Sequence, residues 1–583
     1  MSDYAPPLDS IRFLLKHLTP IESLARLPRY EHVDMPLAES VLGEAARFAS
    51  EVLGPLNEVG DTVGSHLIDG RVVTPPGFRS AYREFVGGGW VGIDLPMEHG
   101  GQALPRVLQT AVAEMVNGAC VSFGMLPLME RAATKVLIAH ATPALRDLYV
   151  PRLVSGEWGA TISMSEAGAG SDVGRARTRA ERQPDGTYSV TGTKIFITYG
   201  DQDFTDQIVH LVLARVRGAP PGVKGLSLFA VPARRLDAAG NPGEANGVSV
   251  SRVERKMGLK ASPTCVVDFD GASGHVIGEE GDGLQNIFTM VNTMRIEVAV
   301  QGVAVAGAAT TKAIRYAVSR PQGGPPDREA VMLVEHADVR RMLMTMKART
   351  EGMRALVYQA AYQLDLAEAS ELQAAREEAQ MLAEWLLPVC KACGSETGFD
   401  VANLAVQIHG GHGYVTDAGV EQYVRDSRVM SIYEGANGIQ ALDLVTRRLP
   451  RQQGRSFGLF AERVRRDLSA DQGGDAAEIH SVLGRELSRL EECSTWMLEK
   501  LDASPRDAMA GAAAYLALVG IVAGGWMWLR MAQIPDENQE SRQCLARFYA
   551  ENLMSAGSFL AAQARSGAAI IDAFNADDWI RMG

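Results

Sequence analysis

The sequence lacks the features that mark several common classes of protein. Six cysteines are dispersed through 583 residues, which is too few for a disulfide scaffold, so a reducing cytoplasm is the expected location. Positive charge is not in excess. The formal net charge is −13, which argues against a nucleic-acid-binding protein, because phosphate binding needs clustered lysine and arginine. The first seven residues carry no basic and no apolar segment, so no signal peptide is expected.

Long apolar runs and metal-ligand clusters are scarce as well. Residues 511–529 could cross a bilayer by length, but they are rich in alanine and glycine. A buried helix is therefore favoured, and no stable membrane insertion is expected. Cys390 and Cys393 form a lone CxxC motif without a second ligand pair, so helix packing is favoured over zinc or redox chemistry. His409 and His412 have no carboxylate close by in the sequence, and no metal is expected there.

Apolar residues, by contrast, are plentiful at 46% of the chain, and 583 residues exceed what one core can hold. Helical spacing of apolar residues extends through 1–160 and returns from residue 283. Between them lie short β-branched runs separated by turns, typical of a barrel or sandwich. The fold class is mainly α with a central β-domain. We expect domains at 1–160, 161–280, 281–450 and 451–583, with strands at 188–192, 194–198, 206–216, 225–231, 248–253 and 265–269 and long helices at 283–319, 329–367, 370–393 and 398–409.

Two motifs indicate chemistry. Residues 431–440 read SIYEGANGIQ, which places the carboxylate of Glu434 before a glycine and just ahead of a helical pattern, where it can face a cavity. Taken out of context, such a carboxylate more often complements a helix dipole. Residues 164–172 read MSEAGAGSD. A glycine-rich turn of this kind lets backbone N–H groups approach an anion closely, although an ordinary loop has the same composition.

Over about residues 40–450 the sequence resembles the acyl-CoA dehydrogenase family. The resemblance depends on an ordered set of motifs, each weak alone: GWVG at 89–92, the run at 164–172, GTKIFIT at 192–198, KMGLKAS at 256–262, QIHGGHG at 407–413 and YEG at 433–435. It implies an N-terminal helical domain, a β-barrel and a four-helix bundle. The additional C-terminal helical domain is a feature of large members of the family.

The family resemblance implies FAD-dependent α,β-dehydrogenation of an acyl-CoA thioester. Glu434 matches the base that removes the α-proton, and the raised pKa of a carboxylate in an apolar pocket suits that task. Gly435 and Arg295 match substrate-binding positions. Some branches carry the base immediately before that arginine, where this chain has Met294, which cannot act as a base. Glu297, about 200° around the helix from Arg295, is a poor substitute.

The same resemblance assigns the flavin contacts. Phe196 stands where many members have tryptophan, and Arg320 matches a contact to the adenosine end. Gln407, Gly410 and Gly411 match a contact from a neighbouring subunit, so an isolated monomer could not complete the FAD site. In large members the C-terminal domain resembles a cover over the surface that smaller members use to form tetramers, so a homodimer is expected. Two departures are visible: Ala436 replaces a common threonine, and residues 322–326 replace an aromatic-bearing stretch. The remaining cofactor-binding residues implied by the resemblance are Met164, Ser165, Gly170, Ser171, Ile197 and Thr198.

Residues 4–13 and 336–343 look like the 3-methylmercaptopropionyl-CoA dehydrogenase branch, which does not fix the acyl group. The expected electron acceptor is an electron-transfer flavoprotein. An acyl-CoA oxidase would share the same motifs and pass electrons to oxygen. A DNA-associated flavoprotein cousin without dehydrogenase activity is a further alternative, but residues 455–583 have no lysine or arginine run. By resemblance, residues 123–129 line the acyl pocket.

Overall fold

The computed structural model of the protein describes residues 4–470 and 477–583, so the first and last predicted domains each include residues outside the described part. The N-terminal region is mainly helical, as the spacing of its apolar residues predicted, and it includes a short β-hairpin. Its elements are α1 (Leu8–His17), α2 (Ile21–Leu24), α3 (Met35–Arg47), α4 (Gly54–Val63), β1 (His66–Ile68), β2 (Arg71–Val73), α5 (Phe78–Gly87), α6 (Arg106–Ala119), α7 (Val121–His140) and α8 (Pro143–Val154).

The central region is a seven-stranded sheet. Strands β5, β4, β6, β7 and β11 pair in a closed ring, so the sheet forms a barrel, with β10 added to β11 and β3 added to β6. Alternate residues of the ring, such as Val190, Val212, Phe229 and Val267, fill its core. The strands of this sheet are β3 (Gly159–Ser163), β4 (Arg179–Arg182), β5 (Tyr188–Thr198), β6 (Ile208–Val216), β7 (Leu226–Pro232), β10 (Val248–Val253) and β11 (Thr264–Ile277). A separate two-stranded sheet consists of β8 (Arg234–Leu236) and β9 (Pro242–Ala245).

Helices make up the rest of the chain, beginning with three very long ones. They are α9 (Gly283–Ser319), α10 (Ala337–Ala369), α11 (Gln373–His409), α12 (Glu421–Ser427), α13 (Asn437–Asp443), α14 (Arg455–Ala470), α15 (Ala477–Ala503), α16 (Pro505–Ala532), α17 (Gln539–Phe548), α18 (Gly557–Ala564), α19 (Ala569–Ala573) and α20 (Ala576–Met582). The predicted fold class, mainly α with a central β-domain, is confirmed.

Two predicted helix boundaries are wrong. Residues 370–409 contain one helix, α11, where a break between 393 and 398 was expected. Gly394 and Gly398 allow α11 to lie against α9, where a Cβ on Gly398 would come within 2.8 Å of the Gly302 Cα. Helix α10 begins at Ala337 rather than 329, because the Gln322 N–H donates to the Val331 carbonyl (2.8 Å) and Leu333–Glu335 form a separate 3₁₀ turn.

The apolar segment at 511–529 lies within α16. Among the described residues, α16 is the one helix that is long and apolar enough to span a membrane. It is largely buried in the protein, and its two tryptophans are fully enclosed. The Trp526 indole N–H donates to Asp467 (2.8 Å), and that of Trp528 donates to the Ala348 carbonyl (3.0 Å). These contacts are those of a core helix.

The described residues form two compact units. Unit 1 comprises the described residues within Met1–Pro6 and Glu39–Glu297, and unit 2 comprises those within Pro7–Ala38 and Val298–Gly583. The sheet and most of the predicted flavin-contact residues belong to unit 1, as does Arg295. Unit 2 contains Glu434 and Gly435 together with Arg320, Gln407, Gly410 and Gly411.

Candidate functional site

Glu434 lies in a tight loop of unit 2 immediately before α13. Its backbone adopts a left-handed conformation, with φ at 53°, and Gly435 follows at 82°. Left-handed φ is costly for a residue with a Cβ, and such residues concentrate at functional sites. The Gln440 side-chain amide donates to the carbonyls of Gly435 (3.1 Å) and Glu434 (3.4 Å), which fixes the loop from within.

The carboxylate and the backbone N–H of Glu434 are available for a ligand. Among the described residues, none donates a hydrogen bond to its carboxylate, and its backbone N–H has no acceptor. The side chain is half-buried. Burial raises the pKa of Glu434 to about 7, although the positive charge of Lys391 lowers it in part. A carboxylate with this pKa can both take and release a proton near neutral pH, as a general base must.

The predicted flavin segment at 164–166 is held in unit 1 by a buried lysine. Lys194 is fully buried on β5. Its ammonium donates to the Met164 carbonyl (3.0 Å) and to the Glu166 carboxylate (2.9 Å). The Ile195 N–H donates to the Ser165 carbonyl (2.9 Å). Two separate predicted motifs, 164–172 and 192–198, are thereby brought together.

Phe196 lies at a bulge in β5. Residues 195–196 stand opposite a single residue of β11, Val266, and the register shifts between Cys265 and Val267. Phe196 adopts a left-handed φ of 60° and leaves 63% of its side chain exposed. A bulge re-aims a side chain, and here it presents an aromatic face outward. The side chain of Ile197 points into the barrel core, so any cofactor contact at Ile197 is limited to its backbone.

The glycine-rich turns are open. A Cβ added to Gly170 would meet nothing within 4 Å, and Ser171 beside it is exposed. In unit 2, Gly410 and Gly411 are equally unobstructed. Arg320 and Gln407 are exposed in that unit as well. The backbone at these turns can therefore be approached by a ligand without any side chain having to move.

The residues around Arg295 on α9 have defined neighbours. Met294 and Arg295 are both buried. The Glu297 carboxylate accepts a hydrogen bond from Gln109 (2.8 Å) and forms an ion pair with Arg131. These two donors occupy the Glu297 carboxylate. That Glu297 is a poor substitute for the base stays a prediction.

The histidine and cysteine motifs have packing explanations. The His409 and His412 rings stack on Tyr316, with centroids 4.2 and 5.8 Å away. The His409 Nδ1 is hydrogen-bonded to the Ala405 carbonyl (2.7 Å). Cys390 is buried inside α11. Within the described residues, no group of three or more histidine, cysteine or acidic side chains could hold a metal ion.

Models of known protein families match most of the chain. Family models described as the N-terminal, middle and C-terminal domains of acyl-CoA dehydrogenase match residues 39–157, 161–272 and 281–449. A fourth model, described as acetyl-CoA dehydrogenase C-terminal like, matches residues 460–573. The chain belongs to the acyl-CoA dehydrogenase family. It is therefore an oxidoreductase, as the sequence predicted.

Two curated members of the family are similar over nearly their whole length. The 3-methylmercaptopropionyl-CoA dehydrogenase of Ruegeria pomeroyi is 40% identical over 567 residues, which cover 95% of each chain. The broad-specificity linear acyl-CoA dehydrogenase FadE5 of Mycobacterium tuberculosis is 32% identical over 594 residues, covering 95% of this chain and 96% of that protein.

Two solved structures share the fold at low sequence identity. Caenorhabditis elegans ACDH-11, in complex with C11-CoA, has a TM-score of 0.77 at 22% identity, covering 91% of this chain and 89% of that one. A Bacillus anthracis acyl-CoA dehydrogenase complexed with FAD has a TM-score of 0.75 at 21% identity, covering 96% and 92%. Both likenesses extend beyond the barrel and bundle into the C-terminal helical region.

Sequence reasoning missed several polar residues of this acyl-CoA dehydrogenase. Glu130 on α7 is fully buried and accepts a hydrogen bond from Tyr82 (3.2 Å). Burial raises its pKa to about 8. Lys194 was noted only as part of a motif, and Lys391 was treated as a residue between two cysteines. The signal that could have found all three is an ionisable residue inside an otherwise apolar stretch.

Proposed function

We propose that this acyl-CoA dehydrogenase uses FAD to convert an acyl-CoA thioester to the trans-2-enoyl-CoA, with Glu434 as the base. The observation that carries the proposal is the environment of the Glu434 carboxylate. It has no hydrogen-bond donor among the described residues, and burial raises its pKa to about 7. The α-proton of a thioester is only weakly acidic, so its removal needs both a positioned base and stabilisation of the charge that develops on the carbonyl oxygen.

The Glu434 loop contributes to both needs. The carboxylate accepts the α-proton. The backbone N–H of the same residue, which has no acceptor among the described residues, can donate to the thioester oxygen as negative charge develops there. An N–H that is fixed in position stabilises that charge without reorganising. The left-handed backbone at Glu434 and the amide of Gln440 hold these two groups in place.

FAD fits the residues that unit 1 presents. Phe196 offers an exposed aromatic face, Ser165 and Thr198 supply hydroxyls, and the uncovered backbone of Gly170 and Ser171 suits a pyrophosphate. When bound, FAD supplies the acceptor for the β-hydrogen, which leaves as hydride. The exposed Arg320, Gln407, Gly410 and Gly411 are proposed to bind the adenosine end of the cofactor, the last three in a neighbouring subunit of a homodimer.

The acyl group is proposed to be 3-methylmercaptopropionyl or another short or medium chain. Similarity over 95% of each chain to the Ruegeria pomeroyi enzyme of that name supports this choice. An electron-transfer flavoprotein is the proposed acceptor of the electrons, because a dehydrogenase, unlike an oxidase, needs a protein partner to receive them.

An anaerobic titration of the purified protein with propionyl-, methylthiopropionyl-, octanoyl- and palmitoyl-CoA tests the proposal. We expect flavin absorbance to bleach with a short or medium acyl-CoA, and the order of bleaching ranks the substrates. Repeating the reaction in air separates a dehydrogenase from an oxidase, since rapid peroxide formation identifies the oxidase. A flavin that no acyl-CoA reduces would overturn the dehydrogenase proposal, and retention on DNA at moderate salt would then favour the DNA-associated alternative.

A further inference from the structure

Lys391 occupies an unusual place for a lysine. It lies in the middle of α11, between Cys390 and Cys393, and its side chain is fully buried. Removing an ammonium group from water costs several kcal/mol unless other groups compensate. A lysine at such a position therefore needs a structural or chemical role that neither cysteine explains.

The contacts of Lys391 lead to the Glu434 loop. Its ammonium donates to the side-chain carbonyl of Asn437 (3.1 Å). Asn437 is the first residue of α13, three residues after Glu434. The other end of the same amide donates to Glu396 (3.0 Å) and to the Ser395 hydroxyl (3.1 Å). Asn437 therefore ties the end of the loop to α11, and its orientation is fixed from both sides.

Lys391 also acts on Glu434 through its charge. Burial raises the pKa of Glu434, and the Lys391 ammonium opposes that rise. Burial also raises the pKa of Glu396, and Lys391 opposes that rise as well; Asp400 and Arg349 act on Glu396 in opposite directions. The remaining titratable neighbour in the loop is Tyr433, whose pKa is raised by burial and by Glu434.

We propose that Lys391 is a positioning residue that keeps Glu434 ready to accept the α-proton, both by holding the loop through Asn437 and by favouring the ionised carboxylate. The proposal rests on the proposed function, because it assumes that Glu434 is the base. It also gives the lysine of the CxxC motif a role that the cysteines do not have. A purely structural role for Lys391 would change stability without changing the pH at which the base ionises.

The pH profile of kcat for acyl-CoA oxidation, measured on the FAD-loaded enzyme with a dye acceptor, separates these roles. In Lys391→Met we expect the acidic limb to move to higher pH by about 1 unit, since an opposite charge nearby shifts a carboxyl pKa by about 1–3 units. KM for acyl-CoA should stay within about twofold. Lys391→Arg keeps the charge and should leave the limb near its original place.

Matched variants identify the group that responds. Ser395→Ala removes a hydrogen bond to the same Asn437 amide without changing charge, and it should not move the limb. In a Glu396→Gln background, Lys391→Met should still move the acidic limb, because Glu434 is still present as the ionising base. Asn437→Asp nearly preserves shape and places a carboxylate against Lys391. It should shift the limb upward as well, and it replaces Lys391→Met if that variant does not fold.

Two results would overturn the inference. One is an acidic limb at the same pH in Lys391→Met and the unchanged enzyme; the other, where Lys391→Met does not fold, is an unmoved limb in Asn437→Asp. Glu434→Gln separates this failure from failure of the proposed function. If Glu434→Gln is inactive and the limb does not move in the Lys391 or Asn437 variant, only the role of Lys391 is wrong. If Glu434→Gln retains most of its activity, the base assignment itself is wrong.

Discussion

Two glutamates in the two units differ sharply although each lies near a fully buried lysine. In unit 1, the Glu166 carboxylate accepts hydrogen bonds from the Arg177 N–H (2.6 Å), the Thr178 N–H (3.0 Å) and hydroxyl (2.6 Å), and the Lys194 ammonium (2.9 Å). In unit 2, none of the described residues donates a hydrogen bond to the Glu434 carboxylate, and Lys391 donates to the neutral amide of Asn437.

The pKa values of these two glutamates follow from their donors. Burial raises the pKa of both, but at Glu166 the charge of Lys194 and the hydrogen bonds outweigh it, so the pKa is lowered. At Glu434 burial dominates, and the pKa rises to about 7. A carboxylate whose lone pairs are all satisfied organises backbone, whereas one left without donors is free for proton transfer.

The largest expected effect is on turnover. Glu434→Gln preserves size and removes the ionisable group, so we expect kcat to fall about 10³-fold or more, because a positioned base contributes about 10²–10⁴-fold. FAD and acyl-CoA binding should persist. Glu166→Gln is the matched control and should keep kcat within about tenfold. Steady-state kinetics with a dye acceptor measure both, and equal losses in the two variants would contradict the division of roles.

Removing each lysine tests the comparison through stability. Lys194→Met leaves Glu166 without its cation in a largely buried site, so we expect the free energy of unfolding to fall by about 3 kcal/mol. Lys391→Met should cost less, because Lys391 donates to the neutral amide of Asn437, whereas Lys194 donates to a carboxylate. Urea unfolding of the two variants at pH 7 provides the measurement. If Lys391→Met lowered the free energy of unfolding as much as Lys194→Met, the two lysines would contribute equally to stability.

The pH dependence of stability should also separate the two glutamates. The folded pKa of Glu434, about 7, lies above its usual value of 4.5. The folded protein therefore binds the extra proton between these values, and stability falls as the pH rises through that window. We therefore expect the free energy of unfolding of the unchanged protein, measured relative to that of Glu434→Gln, to fall by about 2 kcal/mol between pH 4.5 and 7.

Glu166 behaves in the opposite sense. Its lowered folded pKa stabilises the protein above the unfolded value, and that contribution is lost as the pH falls through the folded value. Urea unfolding at several pH values measures the difference in free energy of unfolding between the unchanged protein and Glu166→Gln. This difference should not decline between pH 4.5 and 7. A Glu434→Gln difference that does not vary with pH would mean that Glu434 titrates normally.

The smallest effect concerns Phe196, whose backbone, like that of Glu434, adopts a strained left-handed φ. Phe196→Gly should stabilise the protein without FAD by up to about 1 kcal/mol, because glycine adopts a left-handed φ without cost. FAD affinity should fall by about tenfold with the loss of the aromatic face. Phe196→Ala loses the same ring and keeps the backbone cost, so a stability gain in Phe196→Ala as well would locate the effect in the side chain. Thermal unfolding and flavin fluorescence report the two quantities.

The sequence predicted elements best where periodicity is local. Strand β10 (Val248–Val253) and helix α9 (Gly283–Ser319) occur where they were expected, because alternation and helical spacing of apolar residues are visible in a short window. Helix α11 was divided wrongly, because its packing against α9, which involves Gly394 and Gly398, is a contact between distant parts of the chain. The bulge at Phe196 was not anticipated, because a bulge is defined by the register of the partner strand.

The sequence by itself determined the family, the order of helices, barrel and bundle, and the identity of Glu434 as the candidate base, because each depends on residue type and spacing along the chain. Tertiary structure alone decided which ionisable groups are satisfied. Glu166 and Lys194 are 28 residues apart in sequence, and Lys391 and Asn437 are 46 apart. Whether a carboxylate is held by donors or left free to take a proton depends on neighbours that only folding brings within hydrogen-bonding distance.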